Sequence, residues 1–340
     1  MRALSALTAV AVIAQVQGHG GIYNYTIDGV DYPGHFPWLP EEGQESVQRR
    51  WWGDPIYQVS HPNLACNRGN PASRRITKLH APARAGSNVT TYWKSPDCPE
   101  DPPVPYPTRA PNPEYGDYEP PMACMGPAYE WVHSFGPIFV YMADCQGPCD
   151  EWDGTGRRWF KIWETGYSKR GWPETELVDE DMPLATWAAW RQHQLIHAGF
   201  DVTIPKDLKP GNYLIRHEAW NLEASWQSFP SCAQLEVSGS GTKTAGEEYL
   251  VEFPGAYTED EPGVWIGGKI WNVNYGHKWT VSLASHALRT DPSADICRII
   301  LCPARKCGCQ RGIDENRFNK QQFPIKVDWV NCSTHALPFW

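Results

Sequence analysis

A histidine near the start of the chain stands where processing would turn it into a metal chelate. His19 follows an apolar run over residues 4–16, and the small residues Val16 and Gly18 occupy the −3 and −1 positions of a secretory cleavage site. Cleavage after Gly18 gives His19 a free α-amine beside its imidazole, and two such nitrogens form a bidentate chelate. Nitrogen donors of this kind favour copper, which has the highest affinity in the divalent series. Cleavage after Ala14 would remove this chemistry.

The first eighteen residues have the organisation of a secretory signal peptide. Arg2 supplies the positive charge, and the apolar run that follows is too short to span a bilayer. No later segment of the sequence is long and apolar enough to do so. We therefore expect residues 1–18 to be removed and the mature protein to be secreted and extracellular, without contact with a membrane.

The composition favours a carbohydrate ligand and argues against nucleic acid. The 340 residues carry a formal net charge of −9 without a basic run, so attraction to a phosphate backbone is not expected. The chain has 18 Trp residues, and flat aromatic rings can stack on the faces of sugars. Most of these rings are expected in the core. Trp38, Trp51 and Trp52, however, lie in a Pro-rich loop that follows the N-terminal segment, where one of them would contact a substrate.

The cysteines and sequons fit the secretory route. Eleven Cys residues indicate disulfides, and the odd number leaves one thiol unpaired or joined to another molecule. A Pro-rich stretch over residues 94–127 has Cys98 near one end and Cys124 near the other, which suggests a loop closed by a Cys98–Cys124 disulfide. Three sequons for N-linked glycosylation begin at Asn24, Asn88 and Asn331.

Short strands separated by turns dominate the rest of the pattern. The chain has 31 Pro and 29 Gly residues, and they separate alternating or apolar runs such as 138–144 and 211–219. This pattern indicates an all-β fold, an antiparallel β-sandwich with long loops. Beyond about Lys278, Cys residues crowd into a short basic tail. We expect three parts: a signal peptide over 1–18, a β-domain over 19–278, and a Cys-rich C-terminal extension over 279–340 of unassigned role.

A series of motifs runs through the chain in a defined order. They are His19-Gly with Ile27-Asp-Gly, Cys66-Asn-Arg-Gly, Gly136-Pro137 leading to Tyr141-Met-Ala-Asp-Cys145 and Cys149, Trp159-Phe-Lys-Ile, Val202-Thr-Ile-Pro, Pro210-Gly-Asn-Tyr-Leu-Ile-Arg-His-Glu218, Gln227-Ser-Phe-Pro-Ser-Cys232 and Asp260-Glu-Pro-Gly-Val. In this series the chain resembles the fungal lytic polysaccharide monooxygenases of auxiliary activity family nine, formerly glycoside hydrolase family 61. The resemblance covers residues 19–275, and the motifs are specific jointly, because each alone is weak.

The resemblance implies a fold, two disulfides and a metal site. The fold is an immunoglobulin-like or fibronectin-like β-sandwich with a flat face around one copper ion. The implied disulfides are Cys66–Cys232 and Cys145–Cys149. The family's metal site is a histidine brace, in which the N-terminal amine, the imidazole of that residue and a second histidine supply three nitrogen donors. His19 matches the first part of the brace.

The second histidine of the brace is assigned from its place before Gly136-Pro137. The family pattern has one residue between the histidine and the Gly-Pro pair, whereas Ser134 and Phe135 both follow His133 here. On strict alignment Ser134 falls at the ligand position. No other histidine stands close before this Gly-Pro pair, and the neighbouring insertion leaves the loop room to shift. We therefore assign His133 as the ligand, with a lost or two-donor site as the alternative.

Three further positions around the metal follow from the same resemblance. Counting from Arg216-His-Glu218 places Glu223 where the family has a histidine, and Gln227 matches the family's glutamine. Phe229 takes the axial position of a tyrosine; it is non-ligating, but it fills the volume and excludes water. Glu223, which accepts or shuttles protons, and Gln227, which positions the oxygen species, are the assigned catalytic residues. His217 is interpreted as a strand residue.

The function implied by the resemblance is that of a copper-dependent polysaccharide monooxygenase. Such an enzyme would hold one copper per chain, oxidise cellulose or hemicellulose with electrons from an external donor, and act as a monomer. The alternative is a non-catalytic protein that binds copper or cell-wall polysaccharide on the same scaffold, because Ser134, Glu223 and Phe229 depart from the family pattern. A glycoside hydrolase needs two carboxylates flanking a cleft, and no spacing of Asp and Glu singles out such a pair.

Overall fold

The computed structural model describes residues 20–37, 43–67, 69–73, 75–95, 129–168, 172, 187–223, 225–259 and 264. In these residues ten strands form two five-stranded sheets, and helical structure is limited to short segments. The strands are β1 (Gly21–Ile27), β2 (Val30–Pro33), β3 (Ala81–Arg84), β4 (Asn88–Ser95), β5 (Tyr129–Glu130), β6 (Ile138–Asp144), β7 (Trp159–Thr165), β8 (Phe200–Thr203), β9 (Gly211–Asn221) and β10 (Gln227–Ser238). The all-β prediction is confirmed.

The helical segments within the described residues are one α-helical turn and four 3₁₀ segments. The α-helical turn, α1, spans Gly69–Ala72. The 3₁₀ segments span Cys149–Glu151, Trp187–Ala189, Arg191–Ile196 and Glu247–Tyr249. No helix of the described residues has the length and apolarity needed to cross a membrane.

Sheet A has the strand order β2-β1-β4-β5, with β8 also paired to β4. The N-terminal strand β1 is built as its sequence predicts, with Ile22, Tyr25 and Ile27 buried toward the core. It turns at Asp28 and Gly29, whose φ values of 49° and 82° lie in the left-handed region that short polar residues and glycine adopt most easily. β1 then pairs antiparallel with both β2 and β4, which makes it an interior strand of the sheet.

Sheet B has the order β3-β10-β9-β6-β7 and is built around the long β9–β10 hairpin. The hairpin closes with the pair Asn221–Gln227, so its tip contains residues 222–226. All pairings in sheet B are antiparallel except β10 with β3, which is parallel. Because β3 belongs to sheet B and β4 belongs to sheet A, the short connection between them crosses from one sheet to the other, as in a β-sandwich.

The central strand β6 is buried on both faces, which explains its continuous apolar sequence. One face packs into the core between the two sheets, and the other packs into a second core that loops form over the outside of sheet B. The inner face is Ile138, Val140 and Met142, and the outer face is Phe139, Tyr141 and Ala143. Many of the tryptophans fill the outer core, among them Trp159, Trp190 and Trp220.

Both disulfides implied by the resemblance are present. Cys66–Cys232 closes a loop of 166 residues and joins the 61–67 segment to β10. Cys145–Cys149 closes a loop of four residues after β6. In the chain-entropy estimate the long loop contributes about 5 kcal/mol and the short one about 2 kcal/mol, so the first does more to stabilise the fold. The predicted Cys98–Cys124 pair, the segment 1–18 and the extension 279–340 lie outside the described residues.

Candidate metal centre

The loop that carries His133 is fastened to the end of β9. Trp220 N donates a hydrogen bond of 3.0 Å to Pro137 O, which places the Gly-Pro pair against that strand. Gly136 has a φ of 153°, and a Cβ atom on it would lie 1.8 Å from Trp220 O. Glycine allows this close approach because it has no side chain. The Gly-Pro pair therefore determines where residues 133–135 lie.

His133 lies among aromatic rings, with a carboxylate at its side. It is 8% exposed, and its ring centroid is 5.3 Å from that of Trp131 and 5.2 Å from that of Phe229. Its Nδ1 lies 3.5 Å from Glu223 Oε2. Neither nitrogen of the ring has a hydrogen-bond partner among the described residues. The structure thus brings together three predicted site residues, His133, Glu223 and Phe229, from two distant parts of the sequence.

The tip of the β9–β10 hairpin is organised by Asn221. Its Nδ2 donates to Gln227 Oε1 at 2.8 Å, and its Oδ1 accepts from the backbone N of Glu223 at 3.0 Å. One side chain therefore orients both predicted catalytic residues. Because the Gln227 carbonyl oxygen is engaged, its NH₂ group is the part that remains to donate.

Ser134, at the ligand position on strict alignment, is engaged by a different histidine. Its Oγ lies 2.9 Å from Nδ1 of His193, which belongs to the 3₁₀ segment Arg191–Ile196. The His193 ring stacks on Trp187, with centroids 5.5 Å apart and an interplanar angle of 12°. Burial and then repulsion from His197 lower the pKa of His193, which favours its neutral form. The sequence contains no local signal for this contact, because its partners are 59 residues apart.

The N-terminal strand begins at the same end of the sandwich as the His133 loop. Gly21, the first residue of β1, pairs with Lys94, and Lys94 pairs on its other side with Glu130. Glu130 stands three residues before His133. His19 itself lies outside the described residues.

The expectation that Trp51 or Trp52 contacts a substrate is wrong. Trp51 is 1% exposed, its Nε1 donates to His35 O at 2.8 Å, and its ring fills the space that a Cβ atom on Gly21 would enter. Trp52 is 5% exposed. Long-range packing against β1, which loop composition does not reveal, places Trp51 in the core. Trp38 lies outside the described residues.

Two aromatic residues that the sequence did not single out are exposed. Trp187, on which His193 stacks, is 57% exposed. Tyr57 is 48% exposed and follows Ile56, which pairs with Ser228 at the start of β10. Trp187 thus borders the His133 loop through His193 and Ser134, and Tyr57 lies beside the first residues of β10. Neither residue lies in a periodic pattern, so only their exposure in the fold identifies them.

The Arg216-His217-Glu218 motif lies in the interior and is structural. His217 is a strand residue, as predicted, and burial lowers its pKa to about 3, so it is uncharged. Burial, the largest single influence, would raise the pKa of Glu218, but the charge of Arg216 and the hydrogen bonds from Arg216, Ser228 and Tyr257 together lower it. Arg216 Nη1 and Tyr257 Oη each donate to Glu218 Oε2 at 2.6 Å. The motif therefore joins β9 to the outer core instead of contributing to the candidate centre.

The described part of the centre fits a metal whose remaining donors come from elsewhere in the chain. Within the described residues, no group of three or more His, Cys, Asp or Glu side chains could hold a metal ion. His133 nevertheless offers a buried imidazole without hydrogen bonds, and leaving such a group unpaired costs about 1–3 kcal/mol. An imidazole nitrogen beside a carboxylate is a donor arrangement that copper accepts.

Comparisons with known proteins agree on one family. The family model described as Auxiliary Activity family 9 (formerly GH61) matches residues 19–278. The AA9 family lytic polysaccharide monooxygenase B of Heterobasidion irregulare is 31% identical over 264 residues, which cover 76% of this chain and 88% of that protein. Lytic polysaccharide monooxygenase D of Thermothelomyces thermophilus is also 31% identical, over 76% and 85% of the two chains. The crystal structure of a cellulose-active polysaccharide monooxygenase from M. thermophila matches with a TM-score of 0.55 and 30% identity, over 75% and 93%.

Proposed function

The chain belongs to Auxiliary Activity family 9, and on this premise we propose that it is a secreted copper-dependent lytic polysaccharide monooxygenase. Its substrate is a β-linked polysaccharide, cellulose or hemicellulose, which it cleaves oxidatively with electrons from an external donor. The observation that carries the proposal is His133, a buried imidazole without hydrogen bonds that lies against Phe229 and Glu223. The non-catalytic alternative has no such support from the relatives, whose names are those of monooxygenases.

One copper ion would be held by His19 and His133. His19 supplies the N-terminal amine and its imidazole after cleavage behind Gly18, and His133 supplies the third nitrogen. Gly20, the residue that follows His19 in the sequence, directly precedes the end of β1 that lies level with β5. Copper bound there supplies the one-electron chemistry that activates oxygen toward a sugar C–H bond.

The chain's own residues then do three things. Glu223 accepts or returns a proton beside the donor atoms and holds the His133 ring through its carboxylate. Gln227, with its carbonyl oxygen bound by Asn221, presents its NH₂ group to orient the oxygen substrate. Phe229, 2% exposed, closes the space on the inner side and keeps water from it.

The polysaccharide would lie across the exposed aromatic side chains. Trp187 presents its ring to solvent and is supported from behind by His193, which Ser134 holds. A rigid, exposed indole is suited to stack on a pyranose ring. Tyr57 offers a second ring near the start of β10. We propose that the protein acts as a monomer.

The test is product analysis with protein whose His19 terminus has been verified by mass spectrometry. Copper-loaded protein, ascorbate and oxygen are incubated with cellulose or hemicellulose, and soluble products are examined for oxidised ends. We expect oxidised oligosaccharides that disappear without reductant and in His133→Ala, and smaller yields with Trp187→Ala than with Leu79→Ala, a matched change at another exposed apolar residue. Copper binding without oxidised products would instead support the non-catalytic alternative.

A further inference from the structure

Asn88 is exposed and oriented in a way that suits the attachment of a sugar. It is the exposed first residue of β4 and begins the sequon Asn88-Val89-Thr90. Its Oδ1 accepts a hydrogen bond of 2.7 Å from Thr203 Oγ1 on the paired strand β8. This bond fixes the side chain through its oxygen and leaves Nδ2, the atom to which a sugar is attached, free to carry one.

An open depression of about 490 Å³ lies beside Asn88, where two turns meet. A Cβ atom on Gly29, at one of these turns, would meet nothing within 4 Å, so the space above the turn is clear. Arg84 Nε and Nη2 donate to the Asp28 carboxylate at 2.8 Å each, which gives the depression a polar floor. The lining residues are Asp28, Gly29, Arg84, Ala85, Gly86, Ser87 and Asn88.

We propose that Asn88 carries an N-linked glycan whose first N-acetylhexosamine lies in this depression, against Arg84 and Asp28. The proposal needs the predicted passage through the secretory pathway but not the proposed metal site. In the attachment step a lipid-diphosphate-linked oligosaccharide is the donor: Asn88 Nδ2 bonds to the anomeric carbon, the C–O bond to the diphosphate breaks, and Nδ2 loses a proton. The hydroxyl groups of the first sugar then hydrogen-bond to the guanidinium and carboxylate groups.

The other described sequon lacks this setting. Asn24 is in the middle of β1, half-buried, and pairs with Pro33 on one side and Tyr92 on the other. Asn24 therefore has a paired strand on each side of it. Asn88, by contrast, stands at a strand end beside a turn, which is where a bulky and hydrated group is accommodated most easily.

The glycan would project from the end of the sandwich opposite the candidate metal centre. Val89 pairs with Ile27 at the last residue of β1, whereas Lys94 pairs with Gly21 at its first residue. These two levels are about 20 Å apart at 3.3 Å per residue. A glycan on Asn88 therefore leaves the face around His133 uncovered, and the protein can be glycosylated without losing access to a polymer.

Glycopeptide mass spectrometry of the protein secreted from a fungal host tests the attachment. We expect the Asn88 peptide to carry a hexosamine-linked glycan, and Asn88→Gln to lower the mass of the intact protein by that glycan. Asn24→Gln is the matched control, in which the Asn88 glycan stays in place. An unmodified Asn88 peptide from the secreted protein would overturn the proposal.

A double-mutant cycle tests whether the first sugar lies against Arg84. Trimming the glycan with an endoglycosidase to a single N-acetylhexosamine should leave Tm unchanged, and Asn88→Gln should lower it by about 2 °C. In the Arg84→Ala background the effect of Asn88→Gln should be smaller, because only the hydrogen bond from Thr203 is still lost and the sugar no longer has Arg84 as a partner. An undiminished Tm difference in that background would show that the sugar does not lie against Arg84.

Discussion

The Nδ1 atom of His133 lies 3.5 Å from Oε2 of Glu223, although the two residues are 90 positions apart in the chain. His133 comes from the loop before β6, and Glu223 comes from the tip of the β9–β10 hairpin. Carboxylates beside metal-binding imidazoles orient the ring and raise its basicity. Under the proposed function, Glu223 would orient the His133 ring for the metal.

Glu223→Gln should weaken copper binding without unfolding the protein. The amide keeps the shape of the side chain but removes the charge that holds the imidazole, and such changes typically lower metal affinity by about tenfold or more. Competition calorimetry with copper(II) measures the affinity. Glu130→Gln, which alters an exposed carboxylate 3.7 Å from His197, is the control and should bind as the wild type does. Equal affinities for wild type and Glu223→Gln would refute this role.

Phe229→Tyr should lower the stability of the copper-free protein. Phe229 is 2% exposed and packs 5.1 Å from Trp131, so the added hydroxyl enters a buried space lined by rings. A buried hydroxyl without a partner costs about 1–3 kcal/mol. Urea unfolding of the metal-free protein measures the difference, and copper should recover part of it if the phenol oxygen reaches the metal. A metal-free variant as stable as the wild type would show that the hydroxyl finds a partner.

Gly136→Ala should destabilise the fold and displace the His133 loop. The new Cβ would lie 1.8 Å from Trp220 O, at a backbone φ of 153°, so either the loop or β9 must move. Strain and overpacking together predict a loss of about 3 kcal/mol. Gly147→Ala is a suitable control, because a Cβ there would meet nothing within 4 Å. If thermal unfolding shows equal effects for the two substitutions, the close approach is not a constraint.

His217→Leu should reduce the loss of stability in acid. Burial lowers the pKa of His217 to about 3, whereas the unfolded chain protonates it near 6.5. The unfolded state therefore binds the extra proton first, and the contribution of His217 to stability, complete above pH 6.5, is lost progressively as the pH falls toward 3. Between pH 7 and pH 4 this loss amounts to about 3 kcal/mol. Urea unfolding at the two pH values should show a smaller decrease for His217→Leu, while exposed His197→Gln should match the wild type.

Features that local sequence determines were predicted well. The alternation in β1 and its turn at Asp28-Gly29 follow from residue types within a few positions, and the apolar run of β6 follows from burial on both faces. The disulfide Cys66–Cys232 could be predicted only from the motif series, because the two half-cystines are 166 residues apart.

Contacts between residues far apart in the sequence could not be predicted from local residue types. Trp51 lies in a segment with the composition of a loop, but Gly21 of β1 packs directly against its ring. The stacking of His193 on Trp187 and its contact with Ser134 join segments with no shared pattern. The parallel pairing of β10 with β3 likewise has no signature in either strand. For the candidate site, spacing left His133 and Ser134 as alternatives. Ser134 contacts His193, whereas His133 lies beside Glu223, and the assignment of His133 as the ligand stays a prediction.

The most direct test of the account is electron paramagnetic resonance of the copper(II)-loaded protein with a verified His19 terminus. A copper site formed by His19 and His133 should give an axial spectrum with hyperfine coupling from three nitrogen donors. In His133→Ala the coupling should fall to that of two nitrogens, while Ser134→Ala should keep the wild-type spectrum. A spectrum unchanged by His133→Ala would contradict the central claim that His133 completes the metal centre.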